Sequence, residues 1–167
     1  MKKGFTLIEL IIYVALISIF ISAAILFAWD IIYGRIKSQI YQDINQNLRF
    51  VSQRIASEIR NASGINAVNS NSISLSSHDV NRNPTVIDLN NNQIRIGYGN
   101  SGSCSISSPC SLSSNQLSVT QLLFENLSTV DNKSKHIRYM LTINSNSDRK
   151  EWQRTKTVTA SAELRSN

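Results

Sequence analysis

The chain opens on an apolar run, Phe5 to Trp29, in which Glu9 is the sole charged residue. About 20 apolar residues coiled as a helix span the roughly 30 Å of hydrocarbon in a bilayer, so this run is long enough to cross a membrane. Past Trp29 and Asp30 the apolar positions thin out but keep a helical rhythm. Ile32, Ile36, Ile40, Ile44, Leu48, Val51, Ile55 and Ile59 fall on one face at about 100° per residue. Between them stand Arg35, Lys37, Gln39, Gln42, Asp43, Gln46, Arg49, Gln53 and Glu58, a polar back that predicts an amphipathic helix whose stripe lies on a sheet. Gly34 is its weak point, at about 1 kcal/mol in a helix interior. Asn61-Ala62-Ser63-Gly64 reads as its stop, with Gly64 suited to the left-handed capping conformation. The expectation is one helix from Phe5 to that stop, roughly 90 Å long at about 1.5 Å per residue.

After Gly64 the chain turns to Ser and Asn with short β-type runs at Ile65 to Val68, Ser72 to Leu75, Val86 to Leu89, Gln93 to Tyr98, Leu117 to Phe124, Ile137 to Ile143 and Lys156 to Ala162. Several alternate polar and apolar residues, the signal of half-buried strands. Asn90-Asn91-Asn92 between two such runs predicts a hairpin. The fold class is therefore α+β, one long N-terminal helix packed on an antiparallel sheet. The Ser/Asn-rich stretches Asn69 to Ser72, Ser76 to Asn83, Asn100 to Asn115 and Asn144 to Asp148 read as solvated loops, and no internal repeat is present. A chain of 167 residues leaves room for one modest core beyond the apolar run.

The first residues change this picture. Lys2-Lys3-Gly4-Phe5-Thr6-Leu7-Ile8-Glu9 resembles, position for position, the prepilin-type signal of type IV pilins and type II secretion pseudopilins. The resemblance implies cleavage after Gly4 by a prepilin peptidase, methylation of the new amine on Phe5, and a role for Glu9 in aligning subunits within a fibre. Four residues apart on a helix is the same face, so Glu9 lies near its own terminal amine and near that of a neighbour shifted along a fibre. An ordinary signal anchor explains the lysines through the positive-inside rule and leaves Glu9 as a mere edge residue. A secretory signal peptide fits worse, because its apolar core precedes the cleavage site.

The implied organisation is a leader at 1–4, a membrane or fibre-core helix at 5–29, the amphipathic half of that helix at 30–64 and a β-rich head at 65–167. The implied location is a single pass of the bacterial cytoplasmic membrane, N-terminus inside and head outside, followed by an extracellular or periplasmic fibre. Partners implied are the prepilin peptidase, other pilins or pseudopilins met through the N-terminal helix, and an inner-membrane assembly platform. Gln46-Asn-Leu-Arg-Phe50, Ala56 to Ile65, Leu141 to Ile143 and Val158 to Ser166 are most like W-type minor pilins or J-type minor pseudopilins, subunits that prime or cap a fibre. A major shaft subunit and a fibre-displayed adhesin or DNA-binding head are the alternatives.

Losing Lys2 and Lys3 takes the side-chain charge from +6 to +4, and the remaining cations are scattered apart from Lys133 to Arg138 and Arg149 to Lys156. That weakens a nucleic-acid reading without removing it. Cys104 and Cys110 are expected to close a small disulfide if the head is exported, free thiols being the alternative. Their spacing is not that of a metal pair, and neither His78 nor His136 sits in a ligand pattern, so no metal or cofactor is expected. Ser76-Ser77-His78-Asp79 carries the residue types of a hydrolytic triad, but adjacent residues lack its geometry and read as a polar loop. No phosphate loop, H-E-x-x-H or G-x-S-x-G motif occurs, so no catalytic residue is assigned and the chain is read as a non-enzyme.

Overall fold

Helix α1 covers Leu7–Asn61 without a break at Gly34 in a computed structural model that describes residues 6–100, 102–129, 134–147 and 149–165, the side chain of Glu151 excepted. Gly4 and Phe5 lie outside the described residues. The chain divides into two compact units, Met1–Gln39 and Ile40–Asn167. In the first, the large apolar side chains from Leu7 to Tyr33 stand exposed, and this part of α1 is long and apolar enough to cross a membrane. Its serines do not break that character. Ser18 donates to the Val14 carbonyl at 2.7 Å and Ser22 to the Ser18 carbonyl at 2.8 Å, which keeps both hydroxyls satisfied on the helix itself.

In the second unit the stripe of α1 is covered. Ile44, Leu48, Val51, Ile55 and Ile59 are buried and Ile40 is partly so, as the periodicity requires. Strands β1 (Gly64–Asn69), β2 (Ser72–Ser76), β3 (Thr85–Asn90), β4 (Gln93–Tyr98) and β5 (Cys110–Ser111) form one antiparallel sheet in chain order. Strands β6 (Leu117–Asn126), β7 (His136–Ser145) and β8 (Thr155–Glu163) form a second. The class is the α+β expected, with two sheets where the alternation suggested one. Both sheets feed a single core: Ile73, Leu75, Ile87, Ile94 and Ile96 come from the first, Val119, Leu122, Ile137, Tyr139, Leu141 and Ile143 from the second.

The turn between β3 and β4 is the hairpin the three asparagines announce. Asn91 and Asn92 take φ of 48° and 59°, the paired left-handed residues of a two-residue turn that matches strand twist. The helix stop differs from expectation. Gly64 has no positive φ; among the described residues the positive-φ glycines are Gly99 and Gly102. The chain leaves α1 at Asn61 and enters β1 almost at once, with Ser63 N–H on the Ser76 carbonyl at 3.0 Å. Arg165 N–H meets the Arg60 carbonyl at 3.2 Å, so a strand-end donor does part of the work a left-handed glycine cap does elsewhere.

Candidate functional site

At its start α1 is closed by the side chains it later needs. Thr6 precedes the first helical residue, and its N–H and hydroxyl both donate to Glu9 Oε2, at 3.0 and 2.8 Å. Glu9 N–H approaches the Thr6 hydroxyl at 3.4 Å. This is the reciprocal Thr-x-x-Glu capping arrangement, in which two orphan donors of the first turn are satisfied and a carboxylate sits at the positive end of the helix. The signal stands in the sequence as Thr6-Leu7-Ile8-Glu9, a Thr-x-x-Glu spacing masked by the apolar run around it. Glu9 is exposed in the single chain, and among the described residues its carboxylate has the Thr6 donors but no cation.

A second constellation lies in the head. Glu58 was expected on the polar back of α1, yet it is 6% exposed. Arg82 of the short 3-10 turn Val80–Arg82 reaches both carboxylate oxygens at 2.8 Å. Arg54, one turn earlier on α1, lies 3.1 Å from Oε1, and the Tyr98 hydroxyl at the end of β4 donates to the same oxygen at 3.1 Å. Arg54 also donates to the Tyr98 hydroxyl at 2.8 Å, and the Arg82 guanidinium lies 4.6 Å over the Tyr98 ring. The bond to Tyr98, with the Glu58 charge beside it, raises the Arg54 pKa above its ordinary value. Buried charge is tolerated when it is paired and hydrogen-bonded, and this one ties helix, turn and strand together. Chemically it is a structural clasp.

Cys104 and Cys110 are joined as a disulfide with Cα atoms 4.9 Å apart. The ring folds back on β4: Tyr98 N–H meets the Cys104 carbonyl at 2.8 Å and Ile106 N–H the Gly99 carbonyl at 3.0 Å. A Cβ on Gly97 would come within 2.9 Å of the Ile106 backbone, so only glycine admits this approach. Ser105 and Ser113, expected in a solvated loop, are buried here.

The Ser76-Ser77-His78-Asp79 stretch is turn chemistry. Ser77 Oγ accepts from Asp79 N–H at 3.2 Å and Asp79 Oδ1 from Asn81 N–H at 2.9 Å, capping the 3-10 turn. No hydrogen bond among the described residues joins His78 to Ser77 or Asp79.

An apolar helix long enough to cross a membrane, continuous with the helix of a two-sheet α+β head, suits a membrane-anchored protein with one small head domain. Residues 1–25 match the family model for the prokaryotic N-terminal methylation motif, which supports the type IV pilin and pseudopilin family for this chain. No curated protein and no solved structure matches it. The motif implies processing by a prepilin peptidase and assembly with other pilins, and the apolar helix suits membrane anchoring. That family is structural rather than enzymatic.

Proposed function

We propose that the chain is a minor pilin or pseudopilin, cut after Gly4, methylated on Phe5 and drawn from the cytoplasmic membrane into a type IV pilus or type II secretion pseudopilus, where it serves in the initiation or tip complex. In this reading residues 1–4 are the leader, 5–29 the membrane and fibre-core segment, 30–64 the amphipathic continuation and 65–167 the head. Lys2 and Lys3 hold the N-terminus in the cytoplasm. The observation that carries the reading is the match over residues 1–25 together with Glu9, a lone carboxylate in the apolar run from Phe5 to Trp29.

Glu9 supplies the assembly chemistry. On its own chain its carboxylate is held by Thr6 donors; in a fibre the terminal amine of a neighbour would offer a full positive charge, and opposite charges in an apolar setting favour the paired state. A capped carboxylate is ready to exchange donors without passing through an unpaired state. The minor role rests on the resemblance to W-type and J-type subunits.

Maturation gives the test. Intact-mass measurement of the protein from cells with an active prepilin peptidase is expected to show a chain beginning at Phe5 with one added methyl group. Gly4→Val is expected to leave the full-length precursor. A mature chain that still begins at Met1, or a Gly4→Val protein processed as efficiently as the parent, contradicts the reading.

A further inference from the structure

A sheet edge carries a row of uncompleted backbone N–H and C=O groups, and folded proteins guard such edges with charge, proline, bulges, brevity or a covering segment. Three of the four edges here are guarded. β5 is two residues long. β1 carries a register shift between Ile65 and Ala67, and β6 one between Val119 and Gln121. β6 is also sealed by the hairpin turns of the other sheet, with Val119 N–H on the Asn92 carbonyl at 2.9 Å and Phe124 N–H on the Ser70 carbonyl at 3.0 Å.

Among the described residues β8 has no bulge, no proline and no covering backbone, and its two charges, Lys156 and Glu163, stand near its ends. Its nine residues pair with β7 in unbroken register from Thr155 to Glu163, and Thr157-Val158-Thr159-Ala160-Ser161-Ala162 contains no charge and no proline. Thr155, Thr157, Thr159 and Ser161 are exposed. The flanking charges are engaged within the chain: Lys156 Nζ donates to Asn45 Oδ1 and stands 5.6 Å over the Tyr41 ring, while Glu163 accepts from Ser134 Oγ at 2.8 Å. Among the described residues no backbone hydrogen bond reaches β8 from the side away from β7. In an antiparallel ladder alternate residues of an edge strand turn both backbone groups outward, so this row is open over the uncharged stretch.

We infer that β8 is a docking edge, receiving an extended, uncharged segment of a different polypeptide as a fourth strand of its sheet. Backbone bonds supply the affinity in strand addition, and the side chains set the register; the Thr and Ser row favours Thr, Ser or Val opposite it. A second copy of this chain is a poorer occupant. β8 runs in the same sense as the part of α1 that it borders, Lys156 reaching Asn45 and Arg165 meeting Arg60. Antiparallel pairing of two β8 edges would set two Ile40–Asn61 segments head to tail, whereas chains anchored alike in one membrane or fibre hold them in one sense. The open edge stands on the head alone, while the choice of a different polypeptide over a second copy rests on the anchoring proposed above.

The test uses the full chain in detergent micelles and a capped Lys-Thr-Val-Thr-Val-Thr-Lys peptide as probe. Hydrogen exchange without peptide is expected to show alternate protection along β8, slow for amides facing β7 and fast for those facing out. Peptide is expected to slow the fast set. A version of the peptide N-methylated at alternate residues, with the same side chains and blocked donors, is expected not to bind, and Thr159→Lys is expected to abolish binding of the parent peptide with the exchange pattern elsewhere unchanged. Equal protection of both sets of β8 amides without peptide, no slowing with it, equal binding of the N-methylated peptide, or undiminished binding by the Thr159→Lys chain would overturn the inference.

Discussion

Glu58 shows how one residue can be read correctly for its element and wrongly for its environment. The helical period sets it on the polar side of α1, but its neighbours there are Arg82 and Tyr98, which lie far along the chain. Nothing local in the sequence links a glutamate on a helix to an arginine in a turn. Hydrogen bonds to charged groups contribute about 1.5–3 kcal/mol each, while the half-exposed arginines regain water when released. Glu58→Gln is therefore expected to lower head stability by about 1–3 kcal/mol in chemical denaturation of the full chain. Tyr139 gives the pH dependence. Burial pushes its hydroxyl above the ordinary tyrosine value, partly opposed by the Ser52 hydroxyl 2.9 Å away. A group whose folded pKa is raised leaves stability untouched below its unfolded value, about 10 for tyrosine, and withdraws it as pH rises through the folded value. The expected outcome is that Tyr139 ionises after the exposed tyrosines in an absorbance titration and that stability falls above about pH 10. Tyr139→Phe is expected to flatten part of that alkaline loss; an unchanged alkaline limb contradicts the assignment.

At the scale of elements, what was legible is what local physics decides. A sustained apolar period marked α1, short β-type runs, several of them alternating, marked seven of the eight strands among the described residues, and Asn91-Asn92 marked a turn because asparagine tolerates the left-handed region both positions adopt. The rest depends on distant partners. β5 has two residues and exists because the Cys104–Cys110 ring lays Cys110 and Ser111 against Ile96 and Arg95. The separation into two sheets arises where the hairpin turns at Ser70 and Asn92 bond to β6, a contact with no signature in either segment. The absence of a left-handed Gly64 follows from the early start of β1. Within α1 the two environments give opposite mutational expectations. Ile55→Ala, at a fully buried position, is expected to destabilise the head by about 2–5 kcal/mol. Ile17→Ala, on the exposed apolar segment, is expected to leave the denaturation midpoint of the head unchanged.

For the whole molecule, the chemistry is divided between an apolar segment with one carboxylate and a head with its own core. The core is shared by the Ile44–Ile59 part of α1 and both sheets, so the head is expected to keep its fold whether the apolar segment is in detergent, lipid or protein. In the proposed function Glu9 is the point at which the change of environment is registered; in the single chain Thr6 occupies its carboxylate. Because Thr6 holds Glu9 within its own chain, Glu9→Ala is expected to enter the membrane as the parent does, its loss mattering only among other subunits. The most direct measurement is therefore the amount of this chain in the sheared fibre fraction relative to the membrane fraction, parent against Glu9→Ala, by quantitative mass spectrometry in cells that assemble the fibre. The account expects parent chain in the fibres and Glu9→Ala retained in the membrane at parental levels. Equal amounts of the two in the fibre fraction would contradict it.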